Sequence, residues 1–402
     1  MRGDYQPLVD EISSALEAPA TLEDRDFGLI AFGAHDTGDD DTSLMDPVRT
    51  RSILQRRSTA AVRAWFEAFG IARATGPLRI PPDPSAGVIR GRICLPARHG
   101  GVVQGYVWVL DDGHLADVEL GGPGVPADPR IAQAMETATR IGALLAAEVR
   151  SGAETGALLR DLVTGPATGR TAAQAGLRAA LGPAADGPLA LVAVAPWDEG
   201  GDGEALSAPS APGVVAACAV RPAGAGAGHA SALAALVRLR TAGAPEPAVK
   251  AALRLLESPR AAGGAARPGA GIGDVRVGVA DLAAAWHEAL AAARAGRADP
   301  ALGPVLRWAD AGPYRLLTWL PAAASPDPAV RVLLAPAHAE LARTVEVFLD
   351  CAGQAGRAAS ELAIHRQTLY YRLRRVTELT GLDLDSGEDR LLLHMALKAA
   401  RL

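Results

Sequence analysis

The chain has almost no lysine. Of its 40 basic residues only Lys250 and Lys398 are not arginine. Aromatic residues fill 4% of the 402 positions, and cysteine occurs three times, at Cys94, Cys218 and Cys351. The cysteines are far apart, and no CxxC or Cys/His cluster accompanies them. That argues against a zinc site or a disulfide framework and makes a reducing cytoplasm the expected compartment. No window approaches about 18 uninterrupted apolar residues, so no membrane association is expected. Residues 1–19 carry early acids and no long apolar core, unlike a secretion signal. A strong charge of one sign is also lacking. The net charge is −5, so any nucleic-acid binding must rest on a local basic patch rather than on a globally basic surface.

What is present is ample apolar material, 49% of residues, together with 44 Gly and 29 Pro that punctuate it. The length accommodates about two to four domains. The expected class is multidomain α+β. Residues 1–150 read as one α+β domain. It has a helix at 6–16, a strand at 27–32, a helix at 48–69 with Ile53, Val62, Trp65 and Phe66 as core, and an antiparallel pair at 90–95 and 102–110. The pair turns at Arg98-His99-Gly100-Gly101, and a helix at 130–149 leaves the domain. Residues 151–187 read as a connector of two short helical pieces separated by Gly165-Pro166. Residues 188–320 form a second α+β domain, with strands at 189–195, 214–220 and 275–279 and helices at 230–241, 247–257 and 282–295. The four prolines within 321–336 suggest a hinge to a last, all-α module at 335–402.

That last module carries the chemistry. Residues 354–381 read as a helix–turn–helix. Ala355, Ala358, Ala359 and Leu362 pack the first helix, a break falls at Ile364-His365, and a second helix at about 366–380 stops at Gly381. At about 100° per residue, Leu369, Leu373, Val376 and Thr380 share one side of the second helix, with Leu379 at its edge. Gln367, Thr368, Tyr371, Arg374 and Arg375 lie opposite, with Tyr370 and Arg372 on the flanks. Between His365 and Arg375 there are four arginines and no acid. A solvated helix face ordinarily mixes signs. Arg pairs with guanine edges or phosphates, Gln with adenine, and Thr or Tyr with phosphate. The DNA-binding set is therefore His365, Arg366, Gln367, Thr368, Tyr370, Tyr371, Arg372, Arg374 and Arg375. A preceding helix at about 337–351 shows an apolar stripe of Leu341, Val345, Phe348 and Leu349. Ser386 and Asp389 have capping-box spacing ahead of a final helix whose Leu391, Leu392, Met395 and Leu397 read as core.

This C-terminal segment resembles the helix–turn–helix of PucR-type (CdaR-like) bacterial transcriptional regulators. The matching residues are His365-Arg366, Thr368-Leu369, Tyr371-Arg372-Leu373-Arg374-Arg375, Glu378-Leu379-Thr380-Gly381-Leu382 and Glu388-Asp389-Arg390-Leu391. Gln367 stands where the family usually has Asn, and Tyr370 where Arg or another polar residue is common, so no operator is carried over. The resemblance implies a transcriptional regulator and not an enzyme, with double-stranded DNA as partner. It also implies a homodimer or higher homo-oligomer, since one short helix reads only a few base pairs and paired half-sites extend the reading. The N-terminal domain resembles a GAF-type sensory domain in architecture alone, which implies a small-molecule effector there. Gly271-Ile272-Gly273, the strand after it and the 286–293 helix resemble the family's central domain, a degenerate cyclase (GGDEF-like) fold.

Other patterns point to no catalytic or metal-binding residues and to no cofactor. Gly200-Gly201-Asp202-Gly203-Glu204 has the wrong spelling for a cyclase turn and lies in a Ser/Pro/Gly-rich loop. Gly269, Gly271 and Gly273 lack a following Lys-Ser/Thr and read as a turn. Asp39-Asp40-Asp41 lacks the alternating ligands of a calcium loop. The histidines other than His365 are scattered, and no Gly-x-Ser-x-Gly elbow occurs. Two other readings compete with the regulator, a nucleotide-handling enzyme acting through the central domain and a protein-interaction scaffold.

Overall fold

A computed structural model of the chain describes residues 4–33, 47–55, 58–111, 113–122, 125–198, 211–221, 231–262, 267–319 and 326–402. The chain divides into two units, Met1–Gly152 and Ala153–Leu402. Asp39-Asp40-Asp41, the 200–204 run, His35, His229 and the first part of the proline-rich stretch lie outside the described residues.

In the first unit, helix α1 (Gln6–Leu16) buries Val9, Ile12 and Leu16 at helical spacing, and ends where Glu17 turns left-handed. Five strands follow: β1 (Ala20–Asp24), β2 (Leu29–Gly33), β3 (Leu78–Ile80), β4 (Gly91–His99) and β5 (Val102–Asp111). They form one antiparallel sheet of order β2-β1-β5-β4-β3. The β4–β5 hairpin is the pair expected from the sequence. Gly100 and Gly101 both take positive φ there, which the tight two-residue turn requires. Strand β1 was not expected, and the expected strand at 27–32 starts later. Phe27 sits in the preceding turn at φ 60°, where the Asp24 carboxylate accepts from the N–H groups of Asp26 and Gly28. The helix expected at 48–69 is two helices, α2 (Pro47–Gln55) and α3 (Ala60–Glu67). Thr59 caps the second by accepting from Val62 N–H, and Ile53 is half-buried beside a buried Ser52.

Side-chain alternation splits this sheet into two faces. Leu22, Ile93, Leu95, Val107 and Val109 pack with α1 and with the start of α4 (Pro129–Thr164). The other face is aromatic, with Phe27, Phe66, Tyr106 and Trp108 rings stacked or tilted at 4.5–6.4 Å. Glu23 is buried among them. Its carboxylate accepts from Trp108 Nε1 at 2.9 Å and from Ser58 Oγ at 3.3 Å. Burial pushes its pKa up to about 7, against the lowering by the Trp108 hydrogen bond and by Arg92.

Helix α4 runs unbroken through Ser151-Gly152 to Thr164, so the expected connector begins inside a helix and not at a break. Gly165-Pro166 then separates it from α5 (Ala167–Leu181). The second unit's sheet holds β6 (Pro188–Trp197), β7 (Val214–Val220), β8 (Ser231–Arg238), β9 (Gly269–Ile272), β10 (Arg276–Val277) and β11 (Val305–Arg307). The order is β11-β9-β6-β8-β7, with β10 on β6, and only β9–β11 is parallel. Helix α6 (Glu246–Leu256) covers one face. The end of α4, α5 and α7 (Leu282–Ala298) cover the other.

Two expectations fail here for one reason. Residues 230–241 are rich in Ala and Leu and read as helix, yet Ser231–Arg238 is a sheet strand with both faces buried. Pairing with β6 and β7 and burial on both sides override its propensity. The glycines read as a turn are in and just beyond β9. A Cβ at Gly271 or Gly273 would run into the α7 backbone at Ala289 and Ala285, and one at Gly269 would press on the Arg297 side chain and the Ala293 carbonyl. Their two-residue spacing on the strand meets a four-residue spacing on the helix, so strand and helix approach as closely as backbones allow. The strand expected at 275–279 is only β10, and β11 was not expected.

Two short helices, α8 (Tyr314–Leu317) and α9 (Pro328–Arg331), lead to α10 (Ala339–Asp350), α11 (Ala355–Glu361), α12 (Arg366–Thr380) and α13 (Gly387–Ala399). These last four surround one core of Val345, Phe348, Ala358, Leu369, Leu373, Val376, Leu393 and Leu397. Ser386 Oγ accepts from Asp389 N–H, while the Asp389 carboxylate accepts from Asp383 N–H and not from its cap residue. Leu391 and Leu392, expected in the core, are exposed, and α13 buries Leu393, Leu397 and Lys398. Lys398 lies on the buried side with them. Its Nζ lies 3.0 Å from Asp350 and 3.7 Å from the buried Glu346 of α10, which Arg401 also reaches. Met395, Ala399 and Leu402 pack on the cluster of Leu306, Trp308, Tyr314 and Leu317.

Candidate nucleic-acid interface

The turn between α11 and α12 is built by the chain itself. Ala363 takes φ 52°, and Ile364 N–H donates to Ala359 O at 3.0 Å, which closes the first helix and redirects the chain. His365 is the N-cap of α12. Its Nδ1 accepts from Gln367 N–H at 3.3 Å, so the neutral ring carries its proton on Nε2. At the far end Gly381 takes φ 72°, as its position after the helix predicts. Leu369, Leu373 and Val376 are buried, so the phase expected from the sequence holds, and α12 is seated on α10 and α11 by that stripe.

The opposite side is open. His365, Arg366, Gln367, Thr368, Tyr370, Tyr371, Arg374 and Arg375 are all exposed, Tyr371 at 72%. The Arg366 guanidinium lies over the Tyr370 ring at 5.8 Å and donates to its hydroxyl at 3.2 Å, so these two act as one unit on the flank. Arg372 is different. Its guanidinium donates to Glu340 Oε1 and, at 3.4 Å, to Thr344 Oγ1 of α10, and its side chain is 18% exposed.

The face is basic but not acid-free over the whole helix. Glu378 lies one turn beyond Arg374 and Arg375 and accepts from both, at 3.1 and 2.9 Å. The hydrogen bond from Arg375, joined by that from Arg374, holds its carboxyl below the usual range. This pairing was legible as i,i+4 and i,i+3 spacing. The Glu340–Arg372 pair, 32 residues apart, left no local signal. The buried Lys398–Glu346 pair left none either.

Among the described residues no group of three or more metal-ligating side chains forms, and no helix is long and apolar enough to cross a membrane. The three cysteines are buried. Burial raises the Cys94 thiol strongly and the Cys218 thiol to about 12, which suppresses the reactive thiolate.

Comparison with known proteins places this geometry. A family model described as the PucR C-terminal helix-turn-helix domain matches residues 341–399. The carbohydrate diacid regulator of Escherichia coli is 48% identical over 58 residues, 14% of this chain and 15% of that protein. The proline-responsive transcriptional activator PutR of Bacillus subtilis is 29% identical over 122 residues, 29% of this chain and 28% of that protein. The matches thus span less than a third of either relative. A solved structure, a regulator of polyketide synthase expression from Bifidobacterium adolescentis, is 22% identical. It covers 61% of this chain and 92% of its own at a TM-score of 0.28, too low to carry an argument. The family match falls on α10 to α13, and over residues 341–399 the chain carries the C-terminal helix–turn–helix of the PucR/CdaR-type regulators.

Proposed function

We propose that this protein is a sequence-specific DNA-binding transcriptional regulator that reads the major groove with α12. The observation that carries this is the two-sided character of that helix. One side is buried as Leu369, Leu373 and Val376, and the other exposes Gln367, Thr368, Tyr371, Arg374 and Arg375. Residues near the start of such a helix reach base edges and later arginines meet the backbone. Gln367 and Thr368 are therefore assigned to bases, and Arg374 and Arg375 to phosphates. His365, through its Nε2–H, and the Arg366–Tyr370 unit face the flanking backbone. The regulatory reading requires no catalytic step. It is further proposed that two copies act together on paired half-sites, because one helix of this length covers few base pairs.

The domain assignments 1–150, 151–187, 188–320 and 335–402 belong to the same proposal, as do a GAF-like sensory role for the first domain and a degenerate cyclase-like origin for the second. A five-stranded antiparallel sheet flanked by helices supports the sensory role, and a sheet covered by helices on both faces is compatible with the cyclase-like origin. The relatives' names speak of a carbohydrate diacid and of proline. This supports small-molecule responsiveness here but no particular effector.

The test is binding of genomic DNA fragments by the purified protein at 50 and 200 mM salt, beside the Arg374→Ala/Arg375→Ala variant. Selective binding is expected, and the variant should lose a salt slope of roughly 0.9 per phosphate contact removed. Binding that depends on exposed Leu and aromatic side chains of a protein partner, and not on these arginines, would support the scaffold reading instead.

A further inference from the structure

A polar contact between α12 and α10 withdraws an arginine from the exposed face. By helical phase Arg372 lies about 60° from the Leu369 direction. The guanidinium turns toward α10, where Glu340 and Thr344 stand one turn apart. Thr344 is fully buried, and its hydroxyl donates to Glu340 O at 2.7 Å. That leaves its oxygen lone pairs to face Arg372. Two of the guanidinium nitrogens thus donate in different directions, one to the Glu340 carboxylate as an ion pair and one to the uncharged Thr344 hydroxyl oxygen. By contrast Arg374 is 82% and Arg375 50% exposed, and both pair only with Glu378 of their own helix.

α10 is itself held. Its Glu346 and Asp350 pair with His394, Lys398 and Arg401 of α13 and the segment just after it. The apolar stripe of α12 sets which side faces the core, and the Arg372 pair adds a directional restraint about 60° off the Leu369 direction, where it opposes rotation about the helix axis. A rotation of ~15° moves a side-chain tip ~6 Å from the axis by ~1.5 Å. That is enough to break a base-edge hydrogen bond, whose length is held within a few tenths of an ångström. For Arg372 to reach a phosphate it would have to leave Glu340, whose carboxylate is already 72% exposed and would then stand unpaired beside the DNA.

Resting on the DNA-binding reading above, we infer that Arg372 is a positioning residue. Paired with Glu340 and Thr344, it fixes the rotation of α12 and so which side chains enter the groove, and it neutralises no phosphate itself. Its loss costs discrimination between sequences rather than general attraction to DNA.

The experiment compares Arg372→Met, which keeps the apolar stem, and Glu340→Gln, singly and together, in the full chain. The probes are a genomic fragment selected by the wild type and a scrambled duplex of equal length, each titrated from 50 to 200 mM salt, with thermal midpoints recorded. Each single variant is expected to bind the selected fragment roughly five- to tenfold more weakly, and the double variant no worse than twofold beyond either, as coupled partners do. Binding to the scrambled duplex and the salt slope should stay as in the wild type. A slope shallower by about one for Arg372→Met would identify a direct phosphate contact and overturn the inference. So would Glu340→Gln binding the selected fragment as tightly as the wild type. Equal losses on both duplexes with a lowered midpoint would reduce the pair to general stability and overturn it too. Failure of the DNA reading shows separately, as a wild type that selects no fragment or an Arg374→Ala/Arg375→Ala variant that binds undiminished.

Discussion

Replacing Glu23 by Gln should stabilise the first unit at pH 8 and leave it nearly unchanged at pH 4.5. Glu23 is 3% exposed, and burial displaces its carboxyl from an ordinary 4.5 to about 7. Each pH unit of displacement corresponds to about 1.4 kcal/mol, so ionising the group inside the fold costs at most about 3.5 kcal/mol. The sign follows from which state binds more protons. Below pH 4.5 the group is neutral both folded and unfolded, and no cost arises. Between 4.5 and 7 the unfolded chain ionises while the folded one stays protonated, so stability falls as pH rises, and above 7 the loss is complete. Gln presents an amide oxygen to Trp108 Nε1–H in place of the carboxylate and never ionises. Structural relaxation reduces the bound, and about 1–3 kcal/mol of added stability is expected at pH 8. Amide hydrogen exchange of peptides covering Ala20–Asp24 and Val102–Asp111 reads this directly, because β1 and β5 pair there. The ratio of exchange rates between wild type and variant at one pH cancels the intrinsic pH dependence. Slower exchange in the variant at pH 8, with parity at pH 4.5, is the expected pattern. Faster exchange at pH 8 would mean that Glu23 is ionised and held by Arg92, and the reasoning would be refuted.

Two further outcomes test other parts of the structure. Gly271→Ala would drive a methyl group into the α7 backbone, and because both partners are main chain neither yields cheaply. A loss of about 3 kcal/mol or more is expected in chemical denaturation, against little change for Gly356→Ala, which has open space around it. Glu378→Gln frees Arg374 and Arg375 from their shared acid and removes a negative charge from the proposed interface. DNA affinity at 50 mM salt should rise roughly threefold, and the gain should shrink at 200 mM, as screened charges require. An unchanged or weaker affinity would show that Glu378 orients the arginines productively instead of competing for them.

The sequence by itself determined helix α12. Leu369, Leu373 and Val376 recur at helical spacing, Gly381 supplies the left-handed stop, and the residues between them cannot avoid facing outward once that stripe is buried. Helix α1, the β4–β5 hairpin with its Gly100-Gly101 turn and helix α6 were legible for the same reason, since each encodes its period or its turn within a dozen residues. What escaped depends on partners distant in the chain. Residues 231–238 favour a helix locally and become a strand only because β6 and β7 flank them. The glycines of β9 look like a turn until α7 is laid against them. Arg372 reads as a flanking, DNA-binding arginine until α10 brings Glu340 and Thr344 to it, and nothing local marks Lys398 as buried until Glu346 and Asp350 meet it. Periodicity and turn chemistry are local and survive in one dimension. Ion pairing, close backbone approach and the choice of strand over helix are decided by neighbours that only the tertiary structure supplies.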